Sequence, residues 1–375
     1  MNNPHALYIH IPFCSHICNY CDFYKMRAKE IVKRNYVTTL IQELLQKKAY
    51  CNELHTIYIG GGTPTSIPFD ELERLLTALH ETIDCSSITE WTIEANPTDI
   101  TVELVALLKK YGINRVSLGV QSFDPKRLEL LGRTHTIKDV KQAVQLLQRG
   151  GIKNLNADLM FGLPEDNEKV IRKDLTEAIN LGFMHISPYT LIMEERTKLS
   201  LLQGQGAFTP LDDEIEATLY RFIQHFLSHY GFRQYEVSNF ALKGFESTHN
   251  LTYWNNQPYV GLGASASYYL DGVRYTNERH LARYTKAIES MQMTYFEQTA
   301  LTENQMMEEE IMLGLRKVEG VSLDAFQQKY QISFFVRFPI ASKLVKEKLL
   351  IIKKGFIRIP SKNLYISNAI LLNFI

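Results

Sequence analysis

The stretch IPFCSHICNYCDFYKM, residues 11–26, carries three closely spaced cysteines, Cys14, Cys18 and Cys21. The whole chain of 375 residues has only five cysteines, so most of its thiols lie in this segment. The apolar run LYIHI comes directly before it and predicts a buried strand over residues 7–11. Three thiols on a loop that follows a strand indicate a binding site.

Four kinds of site use closely spaced cysteines. A disulfide would leave one thiol over, and a reducing compartment would not maintain it. A thioredoxin-like pair at Cys18 and Cys21 would not account for Cys14. Zinc would need a fourth ligand, which His10 or His16 could supply. An iron–sulfur cluster is held by thiolates on one loop, and three of them would leave one iron of a cubane open.

Composition argues against several classes of protein. Lys and Arg together number 41, as do Asp and Glu, so the formal net charge is zero and no overall basic surface indicates nucleic acid. No stretch approaches about 20 uninterrupted apolar residues, and the amino terminus lacks the pattern of a signal peptide. An odd number of unevenly placed cysteines fits a reducing cytoplasm. We therefore expect a cytoplasmic protein with no membrane span.

Six short apolar runs alternate with single amphipathic helical patterns along the first part of the chain. Strands separated by one helix form right-handed βαβ units, and these build a parallel sheet. The pattern predicts an α/β fold with six such units up to about residue 230, forming a barrel or an open partial barrel; a doubly wound sheet is the competing topology. The runs are residues 7–11, 56–60, 91–95, 115–120, 155–160 and 185–191.

The rest of the chain divides into two further parts. Residues 231–300 are aromatic, amide-rich and glycine-bearing, and predict loops and short strands over a site. Residues 301–375 predict a small helical domain with a β-wing, resembling a winged helix, with a hairpin turn at 353–355. We thus expect domains at 1–230, 231–300 and 301–375. The basic segment 343–354 reads as amphipathic, and a weak contact with a membrane surface is conceivable there.

The spacing C-x-x-x-C-x-x-C after the first strand resembles the radical S-adenosylmethionine (SAM) superfamily. This resemblance implies a partial parallel (β/α)6 barrel and a 4Fe–4S cluster on Cys14, Cys18 and Cys21. It also implies that the open iron is chelated by SAM. The cluster in that superfamily cleaves SAM to a deoxyadenosyl radical that abstracts hydrogen from substrate.

Further motifs, in this order, resemble the oxygen-independent coproporphyrinogen oxidase family across most of residues 7–300. The motifs are YIHIPFC (8–14), GGGTPT (60–65), EANP (94–97), SLGVQSF (117–123), LGRTH (131–135) and DLMFGLP (158–164). Several of their polar residues lie near carboxyl ends of strands, where barrel sites are built. By resemblance, the SAM-binding residues are Tyr8, Tyr20, Gly61, Gly62, Thr63, Glu94, Gln121, Arg133 and Asp158, with Arg133 gripping a carboxylate.

Two departures point to the haem chaperone branch of that family. The oxidase typically has a further cysteine where this chain has Phe23, and a longer segment ahead of the cluster loop. HNLTYW (249–254) matches the HNxxYW motif of the chaperone branch. The resemblance implies haem as cargo, with His249, Asn250, Tyr253 and Trp254 as candidate haem residues and His249 as a possible axial ligand. Ser267 stands where family members often have histidine.

The resemblance implies a haem carrier that delivers haem to acceptor apoproteins, and whether SAM is turned over stays open. The first alternative is an oxygen-independent coproporphyrinogen III dehydrogenase, which would decarboxylate propionate groups oxidatively. A different radical SAM reaction on another planar substrate, such as a methylation, is the third possibility. A homodimer is also possible.

Overall fold

The first six strands lie side by side in a parallel sheet in the computed structural model, which describes residues 3–291 and 295–374. They follow one another in space as they do in sequence, and helices join each to the next. The strands are Ala6–Ile11 (β1), Thr56–Gly61 (β2), Glu90–Ala95 (β3), Arg115–Gln121 (β4), Asn154–Phe161 (β5) and His185–Thr190 (β6). This confirms the predicted partial (β/α)6 barrel, because a doubly wound sheet would reverse its strand order.

Helices between these strands bury one apolar face each against the sheet. Thr101 caps the start of the third helix, because its side chain accepts a hydrogen bond from the backbone N–H of Leu104. The helices are Glu30–Gln46 (α1), Phe69–Thr82 (α2), Val102–Lys110 (α3), Pro125–Leu131 (α4), Ile137–Arg149 (α5) and Glu168–Leu181 (α6).

Short strands later in the chain extend both edges of this sheet. The edge at β1 continues through strands in residues 259–300, and the edge at β6 continues through strands in residues 233–241. The added strands are Arg233–Gln234 (β7), Phe240–Ala241 (β8), Tyr259–Leu262 (β9), Ser267–Leu270 (β10), Val273–Asn277 (β11) and Tyr295–Ala300 (β12). The accompanying helices are Lys198–Gly204 (α7), Asp213–His229 (α8), Thr248–Trp254 (α9) and Leu281–Glu289 (α10).

A buried ion pair fastens this extension to α1. Lys47 Nζ lies 2.8 Å from Glu43 Oε1 and donates to the carbonyl of Gly261 at 2.9 Å. The Glu43 carboxylate also accepts from the backbone N–H of Gly263 and the hydroxyl of Tyr284, both at 2.7 Å. Because both charges have partners, their burial is compensated.

The last part of the chain is a small helical unit with a three-stranded sheet. Its helices are Glu303–Gly314 (α11), Leu323–Tyr330 (α12), Phe334–Arg337 (α13), Ile340–Lys346 (α14) and Ser367–Leu371 (α15). Its strands are Val321–Ser322 (β13), Ile351–Lys353 (β14) and Phe356–Arg358 (β15). β14 and β15 form the predicted hairpin, with positive φ at Lys354 and Gly355. Glu309 of α11 pairs with Arg274 of β11 and so connects this unit to the large sheet.

The basic segment 343–354 is not one continuous amphipathic element. Its first part belongs to α14 and its last part to β14, and the backbone turns between them at Lys348, where φ is 58°. The expected single amphipathic face is therefore divided between a helix and a strand. Within residues 3–291 and 295–374, no helix combines the length and apolarity needed to cross a membrane.

Candidate cluster and cofactor site

The cysteines lie on an irregular segment between β1 and α1, here called the cysteine loop (residues 12–29). The base of the loop is closed by backbone hydrogen bonds from Cys14 to Met26 and from Met26 to Pro12, at 3.0 and 2.7 Å. Further along, Asn19 donates to the carbonyls of Leu130 and Leu131, at the end of α4. These contacts hold the loop over the carboxyl ends of the barrel strands.

All three thiols of the loop line one cavity of about 360 Å³ that opens into the barrel. Thr63 Oγ1 lies 3.7 Å from Cys14 Sγ, and Arg133 Nη1 donates to Cys18 Sγ at 3.3 Å. Burial raises the pKa of the Cys14 thiol to about 11 and also raises the pKa of Cys21. Both are therefore protonated near neutral pH, so iron must displace protons to bind them.

The arrangement of the thiols fits a multi-iron cluster. Across residues 3–291 and 295–374, no three His, Cys, Asp or Glu side chains are grouped as a single metal ion would need. A cubane cluster takes each thiolate on a different iron, so its ligands need not converge on one point. His10, one candidate fourth ligand for zinc, is buried and bonded through Nε2 to the carbonyl of Tyr24 at 3.0 Å and through Nδ1 to Tyr8.

The glycine motif after β2 packs directly beneath the cysteine loop. The backbone N–H groups of Gly62 and Thr63 donate to the carbonyls of Ile11 and Phe13, both at 2.8 Å. A Cβ atom at Gly62 would lie 2.7 Å from the Phe13 carbonyl oxygen and 3.0 Å from Cys14 Sγ. Gly61 has a φ of 116°, which L side chains rarely adopt. The motif thus needs glycine so that the loop can approach the strand end.

Two half-buried carboxylates face the cavity. Glu94 Oε1 accepts from the hydroxyl of Tyr58 at 2.7 Å and Oε2 from the backbone N–H of Gly61 at 3.1 Å. Asp158 accepts from Ser117 Oγ at 2.9 Å and from Asn156 Nδ2 at 2.8 Å. Burial raises the pKa of Glu94 to about 7 and also raises that of Asp158. Both carboxylates keep lone pairs for a ligand that carries N–H or O–H donors.

Gln121 and Arg133 also line the cavity. Gln121 ends β4 with a left-handed φ of 62°, at an irregularity in the pairing with β5. Arg133 Nη2 donates to Asn96 Oδ1 at 2.7 Å and to the carbonyl of Gly119 at 2.6 Å. The guanidinium therefore lies between the cysteine loop and two strand ends, which fits a residue that positions an anion beside Cys18.

The two predicted aromatic contacts are placed differently. Tyr20 of the cysteine loop lines the cavity, and burial raises the pKa of its hydroxyl far above the usual value. Tyr8 is not among the residues that line the cavity, and its hydroxyl is 2.8 Å from His10 Nδ1. The structure thus brings Tyr20, but not Tyr8, to the cavity that the thiols line.

The HNxxYW motif forms α9, which packs against the barrel near β2. His249 has no exposed surface, and its Nδ1 and Nε2 lie 2.8 and 2.7 Å from Thr56 Oγ1 and Tyr253 Oη. Burial lowers its pKa to about 3. Asn250 lines the cavity, whereas Tyr253 and Trp254 are half-buried outside it. Both imidazole nitrogens are thus engaged, so iron ligation at His249 would require one of these contacts to break.

Three residues that sequence reasoning missed also line the cavity, namely Tyr58, Arg115 and Asn156. All three lie on parallel strands of the barrel, whose residues are mostly apolar. Strands of a parallel sheet are buried on both faces and read as continuous apolar runs. Asn156 and Asp158 occupy alternate positions of β5 and so lie on the same face of that strand. This alternation was the signal in the sequence that one face of the strand borders a polar cavity.

A partial parallel barrel with three thiols at the carboxyl ends of its strands defines the radical SAM class of protein. The chain matches the family described as Radical SAM superfamily over residues 8–178, and the HemN C-terminal domain over residues 301–365. Its fold is also that of coproporphyrinogen III oxidase (HemN) from Escherichia coli. That structure is 20% identical, with a TM-score of 0.85 over 99% of this chain and 90% of that one.

Curated relatives are similar along the whole chain. The heme chaperone HemW of Lactococcus lactis is 38% identical over 100% of this chain and 98% of its own length. The heme chaperone HemW of Bacillus subtilis is 40% identical over 92% of both chains. The mitochondrial radical S-adenosyl methionine domain-containing protein 1 of Bos taurus is 32% identical over 99% of this chain. The chain belongs to the HemW family within the radical SAM superfamily.

Proposed function

We propose that this protein is a haem chaperone that carries a 4Fe–4S cluster and SAM, binds haem and delivers it to acceptor apoproteins. The observation that carries the proposal is similarity over the whole chain, at 38% identity, to a protein named as a heme chaperone. The coproporphyrinogen dehydrogenase alternative rests on a structure that is only 20% identical, which supports the fold alone.

The cysteine loop supports this choice. Phe23 is 68% exposed at the mouth of the cavity, where the oxidase typically has an additional cysteine. A phenylalanine cannot take part in thiol chemistry, and its exposed ring offers an apolar surface instead. The position therefore favours binding of a ligand over the chemistry that the missing thiol would serve.

We assign the cluster to Cys14, Cys18 and Cys21, and SAM to the cavity beneath them. A cluster of this kind, when bound, supplies an electron and an open iron position. The chain itself would provide the carboxylates of Glu94 and Asp158, which suit the amino and hydroxyl donors of SAM. Arg133 would place a positive charge beside the ligand carboxylate. Gly61, Gly62 and Thr63 line the same cavity and would contact the ligand there.

Haem would find an apolar surface around the mouth of the cavity. Phe23 and Ile192 are 68% and 66% exposed there, and Tyr189 is 40% exposed. Binding of a flat macrocycle over such side chains is favourable, because it removes apolar surface from water. The HNxxYW residues stay our predicted haem site, with the added requirement that His249 releases Thr56 or Tyr253 before it can ligate iron.

An anaerobic haem titration of the cluster-reconstituted protein, followed by visible absorption, tests this function. We expect near-stoichiometric binding by wild type, and transfer of haem to an added haem-binding apoprotein. His249→Ala and the paired change Phe23→Ala/Ile192→Ala would separate the two haem positions. Turnover of coproporphyrinogen without haem binding would contradict the proposal and favour the dehydrogenase.

We further propose a cytoplasmic location, since five unpaired cysteines suit a reducing compartment. The acceptor apoproteins, the homodimer and the domain divisions at 1–230, 231–300 and 301–375 stay predictions. Size-exclusion chromatography with light scattering would test the dimer directly.

A further inference from the structure

The imidazole of His249 lies directly behind a tyrosine of the cavity wall. Its ring is stacked on that of Tyr58, with centroids 5.1 Å apart and an angle of 29° between the planes. The hydroxyl of Tyr58 donates to Glu94 Oε1 at 2.7 Å. A continuous line of contact therefore runs from the HNxxYW helix to a carboxylate that faces the cavity.

The orientation of the His249 ring is set by contacts on every side. Its nitrogens meet hydroxyls from Thr56 on β2 and Tyr253 on its own helix. The start of the helix is held by Glu90, which accepts from the backbone N–H groups of Thr248 and His249 at 2.7 and 3.2 Å. The ring consequently cannot rotate without the loss of two hydrogen bonds.

Tyr58 and Glu94 have little room to move from the other side. A Cβ atom at Gly60 would lie 2.7 Å from Tyr58 Cε1 and 2.9 Å from Glu94 Oε1, so the strand backbone is pressed against both side chains. Two side chains pack against the Tyr58 ring: His249 is stacked on it at 5.1 Å between centroids, and Tyr8 lies tilted beside it at 6.2 Å. His249 is the closer of the two rings and so helps to fix the position of Tyr58.

We propose that His249 is a positioning residue for the cofactor cavity, because its ring holds Tyr58 so that the tyrosine hydroxyl fixes the carboxylate of Glu94. The inference rests on the proposed role of Glu94 in SAM binding. The ligand acted upon is thus a cationic amino acid derivative that donates N–H or O–H groups to Glu94. This role needs no free nitrogen on His249, which agrees with its two hydrogen bonds.

The charges around Glu94 show why the Tyr58 hydroxyl matters. Burial raises the pKa of this carboxyl to about 7, and the hydrogen bond from Tyr58 opposes that rise. Loss of the hydrogen bond would leave Glu94 more often protonated near neutral pH, and a neutral carboxyl attracts a cationic ligand less. The titratable groups that face it are Tyr8 from β1, Tyr58 from β2, Arg115 from β4, Asp158 from β5 and Tyr253 from α9.

The test is a double-mutant cycle of SAM affinity, measured by calorimetry on cluster-reconstituted protein. We expect His249→Ala and Tyr58→Phe each to weaken SAM binding about tenfold, the loss expected for a hydrogen bond to a charged group. The double variant should bind no more weakly than Tyr58→Phe alone, because His249 acts through the tyrosine hydroxyl. Both single variants should also move the pH midpoint of SAM binding above about 7.

His185 supplies the matched control. It is equally buried, and its nitrogens lie 2.6 and 2.8 Å from Asn156 Oδ1 and Tyr235 Oη, away from Tyr58. His185→Ala should therefore give a loss of SAM affinity that adds fully to that of Tyr58→Phe. Iron content and thermal melting verify that each variant is folded. If His249→Ala does not fold, Thr56→Val and Tyr253→Phe each free one imidazole nitrogen and should give a smaller loss in the same direction.

Two results would overturn the inference while the proposed function survives. One is wild-type SAM affinity in His249→Ala together with loss of haem, which would make His249 a haem ligand only. The other is full additivity of His249→Ala and Tyr58→Phe. Absence of SAM binding by wild-type protein with an assembled cluster would overturn the proposed SAM site and this inference together.

Discussion

The cysteine loop and the barrel interior beneath it are built in opposite ways. In the loop the three thiols are half-exposed at the cavity mouth, and their contacts are long ones to Thr63 and Arg133. We call the hydrogen-bonded polar side chains below the loop the inner network: Tyr58, Glu94, Ser117, Asn156 and Asp158. Every one of these side chains is hydrogen-bonded within the protein.

The cysteine loop therefore acquires its binding partners on loading, whereas the inner network is already organised in the unloaded protein. Asn156 alone contacts Ser117, Asp158 and His185 at 2.6 to 2.8 Å, so the inner network holds its geometry before any ligand arrives. The thiols gain their strong partners only when iron binds. Substitutions in the loop should therefore affect loading, whereas those in the network should affect folding and affinity.

The largest expected effect is on cluster loading. Replacement of Cys14, Cys18 and Cys21 by alanine should remove all bound iron and the brown chromophore after anaerobic reconstitution. The free energy of unfolding of the apoprotein should change by less than about 0.5 kcal/mol per site, since the thiols are half-exposed. Iron analysis and urea unfolding measure the two quantities. A cysteine-free loop that still held a cluster would refute the assignment.

The next effect is on stability, from Asn156→Ala in the inner network. This change leaves the hydrogen-bonding groups of Asp158, Ser117 and His185 short of a partner in a buried site. We expect a loss of about 1–3 kcal/mol in the free energy of unfolding. Urea unfolding of the apoprotein would measure it, with the triple cysteine variant as comparison. Equal stability of both variants would remove the contrast between loop and network.

A smaller effect concerns the pH dependence of SAM binding. Burial raises the pKa of Glu94 from its usual value to about 7, so the carboxylate is ionised above that pH and neutral below it. SAM affinity should fall as the pH decreases through about 7, by up to about tenfold per pH unit. Calorimetry between about pH 6 and 8 would reveal the slope. Glu94→Gln should bind more weakly and lose this dependence; a variant that kept the slope would exclude Glu94 as its source.

The smallest effect is expected at the rim of the loop. Phe23→Ala removes a ring that is 68% exposed, so unfolding free energy should change by no more than about 0.5 kcal/mol. Iron content and SAM affinity should match wild type, while haem binding weakens if the ring contacts the macrocycle. A measurable loss of cluster in Phe23→Ala would mean that the ring supports the loop itself.

Much of the fold was predictable from the sequence. Strands such as 56–60 and 91–95 were found within one residue at either end, because buried parallel strands are apolar runs bounded by turn residues. Residues 231–300 were expected as loops and short strands. The pattern did not indicate that four of those strands would continue from β1, since pairing between distant segments leaves no local trace.

By itself, the sequence determined the chemistry that depends on spacing along the chain. Cys14, Cys18 and Cys21 are close in space because they are close in sequence. The glycine motif can be recognised from its residue types alone. Tertiary structure alone decided how the motifs relate to one another. Tyr58 and His249 are far apart in the chain, and only folding brings their rings together. Only burial raises the pKa of Glu94 while it lowers that of His249. Desolvation disfavours whichever form of a group is charged, and desolvation exists only once the chain has closed around it.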